Sequence, residues 1–395
     1  MGQDLCLPGL GRALRLLGCP EVLGALQAAM PGWPGRVIEA DGSSPAIRLR
    51  RHGGGYWQTS PALPEGLFLA TAVEAACSLI ADLVGEYFDR HPDSIGLHCG
   101  SAEVAGRLVV FPDAHRAGKS TLTAAFAAAG LRVFGDDVLA LTPEGRGRAL
   151  GIAPRLRLPL PASLDPALVA HADAHAGPTD ERYRYLALPG AALAAHGEEA
   201  PLGALVLLER EAGLAAPELL PLAPGEGLLQ LLCQNFAHGA PSEALMARFL
   251  PLMASLPCLL LRYSEPLAAA RCLAARVATP PEKGEAALAS LTGHRPAAMA
   301  MPAISPRQPW RPAGEVQAYP LGDELFLIHR PSGAIHRLNA SGRAVWLLLA
   351  REVLSADILA ELLAELYGDQ SAERILSDVL DLLGRLAASR LIEAA

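Results

Sequence analysis

The sequence predicts an α/β fold followed by a second, smaller domain of winged-helix type, and three observations predict it. A short apolar strand runs into a Gly-Lys-Ser-Thr loop and then a helical run. A stretch of 37 residues, 279–315, carries seven prolines and breaks the chain in two. Beyond it, two strand-like runs and three helical runs fill residues 316–395. The expected organisation is a small N-terminal α+β region over 1–92, a core over 93–278, a Pro/Ala-rich linker over 279–315 and a small domain over 316–395.

Bulk composition narrows the function classes. Apolar residues make up 51% and charged ones 19%, enough apolar surface to build a large core. The net charge of −8 argues against a nucleic-acid partner, since no basic stripe stands ready for phosphate backbone. Seven scattered Cys with no C-x-x-C pair give no disulfide or zinc framework, which fits a reducing cytoplasm. No run of 18 apolar residues is free of charge, so no membrane partner is expected. The N-terminus lacks the apolar core of a signal peptide. Oligomeric state is not set by these numbers, and a homo-oligomer stays open. Of 33 basic residues 31 are Arg, so the two Lys, Lys119 and Lys283, mark places where a slim ammonium is kept. Lys283 falls in the linker, where solvent explains it.

Residues 1–35 read as helix broken by Pro8, Pro20, Pro31 and Pro34. Ala46–Arg51 reads as a strand ended by the Gly53-Gly54-Gly55 turn. Leu69, Val73, Ala76, Leu79, Ile80 and Leu83 recur at helical spacing and predict a helix over 67–88.

Residues 106–112, GRLVVFP, read as a buried strand, and residues 122–129 as a helix closed by Gly130. Between them lies Asp113-Ala114-His115-Arg116-Ala117-Gly118-Lys119-Ser120-Thr121. Strand, tight loop and helix is the setting in which backbone N–H groups cradle phosphates. In that setting Gly118, Lys119, Ser120 and Thr121 bind a nucleotide. Lys119 reaches the outer phosphates and the Ser120 hydroxyl ligates Mg²⁺. Asp113 stands where the usual motif has its first Gly, and a loop weakened by that carboxylate is the alternative reading.

The short strand 131–135 ends in Asp136-Asp137 and is followed by the apolar run 138–141. A carboxylate at a strand end beside a phosphate loop serves the metal, and a second can accept a substrate proton. A plain polar turn gives the same letters. His98 ends the strand 94–97 and alone is equally a core or surface histidine.

Together His98, Lys119, Asp136 and Asp137 resemble the active-site frame of the HPr kinase/phosphorylase family and related HprK-like kinases. A His precedes the loop Lys by 21 positions there, and an Asp pair follows it by 17 and 18; these separations recur here. The resemblance implies a P-loop kinase core of HPr kinase type that uses ATP to phosphorylate a protein hydroxyl. It makes Asp137 the general base, with Asp136 and His98 supporting it and the metal. The family's metal-binding Glu has no match in residues 148–155, RALGIAPR. Arg155 stands in that segment, either placed to clamp a phosphoryl group or simply solvated at the surface. The family's P-V-R-P-G-R loop corresponds to Pro221-Leu222-Ala223-Pro224-Gly225-Glu226, where both Arg are missing. A kinase without the reverse phosphorolysis is expected.

In the last domain, 324–330 and 334–338 read as a hairpin joined by Pro331-Ser332-Gly333. Asn339, Ser355 and Ser371 read as caps of three helices, the last two over 356–367 and 372–388. The run GAIHRLNASGRAVWLLL resembles the PqqD family through Leu338, Asn339, Gly342 and Trp346. That resemblance implies a recognition element for the leader of a ribosomally made precursor peptide, held by strand addition. Ala334, Ile335 and Leu338 then lie on the edge, and Ile375, Leu376 and Val379 form the groove. Purely core packing is the plain alternative for part of this set.

The combined expectation is an ATP- and Mg²⁺-dependent kinase acting on a Ser or Thr hydroxyl of a precursor peptide, in the cytoplasm. The rivals are a small-molecule kinase whose last domain serves assembly, and a non-catalytic carrier that binds nucleotide and peptide.

Overall fold

The computed structural model describes residues 2–112, 118–237, 239–278, 304–366 and 370–395. Asp113 and most of the expected linker lie outside the described residues. Two compact units are present, the first over 1–222, 226–238 and 256–289, the second over 223–225, 239–255 and 290–395.

The first unit opens with β1 (Gly2–Leu7), β2 (Gly11–Leu17) and α1 (Pro20–Ala29). The helix expected over 1–35 is thus a hairpin followed by one short helix. The reason is period-two patterning: Leu5 and Leu7, then Leu14 and Leu16, are buried, while Gly9 and Gly11 turn the chain at positive φ. Asp4 is buried on this hairpin because Arg15 Nε and Arg12 Nη1 donate to its carboxylate at 2.7 and 2.8 Å. Strands β3 (Arg36–Glu39), β4 (Ile47–His52), β5 (Gly55–Ser60) and β6 (Leu63–Leu69) complete a six-stranded sheet of order β3-β1-β2-β4-β5-β6. Helix α2 (Ala72–Arg90) is capped by Thr71, whose hydroxyl accepts from Glu74 N–H at 3.0 Å.

The chain continues through β7 (Ile95–Leu97), β8 (Cys99–Val104), β9 (Arg107–Pro112), α3 (Lys119–Ala128), β10 (Arg132–Gly135), β11 (Leu139–Leu141) and β12 (Arg146–Arg148). It goes on through β13 (Arg155–Arg157), α4 (Pro166–Ala174), β14 (Ala176–Thr179), β15 (Tyr183–Leu186), β16 (Glu199–Arg210) and β17 (Glu218–Pro221). Helices α5 (Pro224–Cys233) and α6 (Ser242–Ser255), strand β18 (Cys258–Tyr263) and helix α7 (Pro266–Ala278) follow. A nine-stranded sheet has the path β10-β8-β9-β16-β12-β11-β7, with β18 parallel to β16 and β17 beside β18. Strand β9 is parallel to β16, and α3 packs against α7. One hydrophobic core joins Leu5, Trp33 and Leu83 to Phe111, Phe126 and Leu261. Residues 239–255, expected in the core domain, group with the second unit.

The second unit contains β19 (Pro309–Pro312), β20 (Val316–Leu321), β21 (Glu324–His329), β22 (Ala334–Leu338), α8 (Ala340–Leu349) and β23 (Leu354–Ser355). It ends in α9 (Ala356–Leu366), α10 (Ala372–Ala388) and β24 (Ile392–Ala394). Strands β20, β21 and β22 form an antiparallel meander, and β19 lies between β23 and β24. The expected linker therefore ends before Pro309. Its prolines are tolerated in β19 because a proline still accepts: Pro309 C=O takes the Ala395 N–H at 3.1 Å. Asn339 Oδ1 accepts from Gly342 N–H at 2.9 Å and caps α8, and Ser371 caps α10. The core is Leu325, Leu327, Trp346, Leu359, Leu383 and their neighbours. A mixed α/β unit followed by a winged-helix-like one is the architecture of the chain.

Candidate functional site

Three separate sequence positions meet because of how the strands change partners. Strand β11 pairs with β7 while β10 pairs with β8, so the chain between β10 and β11 faces the chain between β7 and β8. The first junction holds Asp136 and Asp137, the second holds His98. Strand β9 ends opposite Cys99, where Pro112 pairs with it, so the last residue of β9 lies beside the β7–β8 junction that holds His98.

That loop closes on Gly118, whose φ of +95° lies in the left-handed region that favours glycine. A Cβ there would also stand 2.9 Å from the Tyr263 hydroxyl. Lys119 begins α3 and is only 7% exposed. The first helical bond runs from Leu122 N–H to Gly118 C=O at 2.9 Å, so the first-turn amides lie ahead of the helical bonding pattern at the N-terminal end of α3. The N-terminal end of a helix is the positive end of its dipole, so these amides suit an anion. Ser120 and Thr121 follow on that turn, both half-buried.

Asp136 is 3% exposed, and its Oδ2 accepts the backbone N–H of Arg155 at 3.0 Å. Its Oδ1 is buried with no hydrogen-bond partner among the described residues. Burial first and the Asp137 charge second push this carboxyl up to about 7, against the Arg155 N–H and the Ser120 hydroxyl, which favour the ionised form. Asp137 differs: its side chain is 45% exposed and faces outward between two nitrogen groups. Arg155 Nη2 donates to Asp137 Oδ2 at 3.0 Å, and His98 Nε2 stands 3.9 Å from Oδ1. One carboxylate is thus buried and the other presented.

Arg155 itself lies over the Tyr183 ring at 4.8 Å. Burial opposes its charge, but Tyr185, Cys77 and Asp137 outweigh that and hold its pKa above the usual value. The guanidinium expected as a phosphoryl clamp donates to Asp137. His98 Nδ1 lies 3.0 Å from Gln234 Oε1, a partner 136 residues away that no local pattern announces. Tyr183 and Gln234 both escape sequence reasoning for that reason.

The residues fit Mg²⁺ held jointly with phosphates. Among the described residues no group of three His, Cys, Asp or Glu could hold a metal by itself. Mg²⁺ bound through nucleotide phosphates needs only one or two protein oxygens, and an orphaned buried oxygen on Asp136 beside the Ser120 hydroxyl offers them.

In the second unit β22 is an end strand of the meander, paired with β21 alone among the described residues. Ala334 is exposed, Ile335 half-buried and Leu338 buried. A cavity of about 330 Å³ opens beside α10, lined by Val345, Leu363, Ile375, Val379 and Leu382 with Arg374 and Asp378 among its polar residues. Ile375 and Val379 belong to it as well as to the core; Leu376 packs on the core without lining it.

Residues 324–392 match the family described as Coenzyme PQQ synthesis protein D (PqqD), so the C-terminal part is a PqqD domain. The chain is similar to TbiB1 in complex with the TbiA(beta) leader peptide, at 25% identity and a TM-score of 0.20, covering 21% of this chain and 94% of that one. It is also similar to the Hpr(Ser) kinase/phosphatase from Coxiella burnetii, at 15% identity and a TM-score of 0.21, covering 42% of this chain and 83% of that one. No curated protein matches the sequence. No helix among the described residues is long and apolar enough to cross a membrane.

Proposed function

We propose that this chain is an ATP-dependent kinase that phosphorylates a Ser or Thr hydroxyl of a ribosomally synthesised precursor peptide. One observation carries the reading: a presented carboxylate, Asp137, sits between His98 and Arg155 and next to a buried one, Asp136, close to a glycine-lysine helix start.

Lys119 and the first-turn amides of α3 bind the nucleotide phosphates. Asp136 and Ser120 are the residues that would hold Mg²⁺, which would supply charge neutralisation on the phosphates. Asp137 accepts the proton as the substrate O–H bond breaks. The oxygen then bonds to the γ-phosphorus, and the bond from that phosphorus to the bridging oxygen breaks, its electron pair leaving on ADP. Arg155 aims Asp137 through its Nη2 hydrogen bond, and His98 approaches the same carboxylate from the other side.

The PqqD domain supports a peptide as the acceptor. An extended leader adds to the edge of β22 and sets an apolar side chain into the cavity beside α10. Holding the leader raises the local concentration of the segment to be modified. The test is phosphate transfer to a candidate precursor with ATP and Mg²⁺, compared between the intact protein and Asp137→Asn. Transfer that is equal in both would remove the proposal, and transfer to a metabolite with no peptide would redirect it.

A further inference from the structure

The geometry points to Gln234 as a positioning residue that fixes the ring plane and tautomer of His98. This rests on the kinase reading for its consequence, though not for its structural content.

Gln234 follows α5 and lies antiparallel to the end of β7. His98 N–H donates to Gln234 C=O at 2.9 Å and Phe236 N–H donates to Gly96 C=O at 2.8 Å, with Leu97 bridged to Asn235 between them. Asn235 locks this stretch: its Nδ2 donates to the Leu231 and Leu232 carbonyls at 3.1 and 2.9 Å, and its Oδ1 accepts from Ala237 N–H at 3.0 Å. Gln234 is therefore held by backbone bonds to the residue its side chain serves. The Phe236 ring lies 6.0 Å from the His98 ring and 6.2 Å from that of Phe88, which restricts the imidazole from a second side.

The chemistry follows from what an amide oxygen can do. Gln234 Oε1, 3.0 Å from Nδ1, accepts a hydrogen bond and so places the ring proton on Nδ1. The basic lone pair of the neutral ring then belongs to Nε2, the nitrogen that faces Asp137 Oδ1. A neutral partner sets this tautomer without adding a charge beside Asp137. The reverse tautomer would aim an N–H at Asp137 and tie up the oxygen that receives the substrate proton.

Full-length protein labelled with ¹⁵N-histidine gives a direct reading through long-range ¹H–¹⁵N spectra at pH 8, with His98 assigned by His98→Gln. The expected result is a His98 ring protonated on Nδ1. Gln234→Met, close in volume but without the acceptor, should give a mixture of tautomers. Its kcat for phosphate transfer should fall about tenfold with the KM for ATP unchanged, while Gln234→Glu, which keeps an acceptor oxygen, should keep the proton on Nδ1. A neutral ring protonated on Nε2 in the unaltered protein, or a spectrum unchanged by Gln234→Met, overturns the assignment. If the unaltered protein transfers no phosphate to any peptide, the kinase reading fails while the spectra still decide the role of Gln234.

Discussion

Arg155 binds Asp137 through its side chain and Asp136 through its backbone, at 3.0 Å in both cases. A single residue thus sets the geometry of both carboxylates, and the two are held in opposite states. Asp137 is kept accessible beside a cation; Asp136 is kept buried with one oxygen unused.

Replacing Asp137 by Asn should leave nucleotide binding intact and cut phosphate transfer by about 10²- to 10⁴-fold, the usual size of a general-base contribution. Isothermal titration with a nucleotide and a radiolabel transfer assay separate the two effects. Loss of nucleotide affinity with unchanged turnover would assign Asp137 to binding instead.

Lys119→Arg tests whether a slim ammonium is required. The chain uses Arg at 31 of its 33 basic positions, yet keeps Lys where the side chain is 7% exposed. A planar guanidinium does not fit the space of an ammonium. Nucleotide affinity should drop at least tenfold in Lys119→Arg, with the far-ultraviolet circular dichroism unchanged. Full affinity in the variant would mean that Lys119 does not touch the phosphates.

Asp136 gives a pH dependence with a definite sign. Its folded pKa is pushed up to about 7 by burial and by Asp137, whereas an unfolded Asp ionises near ~3.9. Between those values the folded chain holds a proton that the unfolded chain has lost, so stability falls as pH rises through that window. Without metal or nucleotide, Asp136→Asn should melt above the unaltered protein at pH 8 and converge with it near pH 4. Equal melting temperatures at pH 8 would contradict the assigned environment.

On the second unit, Leu382→Glu changes a half-buried residue of the cavity beside α10. Fluorescence anisotropy with a labelled leader should read about a tenfold weaker complex, while nucleotide affinity stays the same. A leader that binds the variant as well as the unaltered protein would move the docking site off that cavity.

Much of the frame was legible because it is local. The strand, glycine-lysine turn and helix of 107–128 follow from residue order, as do the caps Asn339 and Ser371. The N-terminal hairpin was misread because Leu14 and Leu16 also suit a helix, and only the pairing of Leu5 with Leu14 decides between them. Pro309 in β19 was misread because a proline forbids donating, not accepting, and its carbonyl is what the strand uses. Gln234 and Tyr183 were invisible because their partners lie far along the chain, and no spacing rule links residue 98 to residue 234.

In the proposed reaction phosphate passes from ATP to a peptide hydroxyl. Intact-mass spectrometry of a precursor peptide incubated with the protein, ATP and Mg²⁺ tests it most directly. The expected result is a series of mass increases in steps of about 80 Da, one phosphoryl group each, that vanish with Asp137→Asn or without Mg²⁺. A peptide that binds the protein and gains no mass would contradict it.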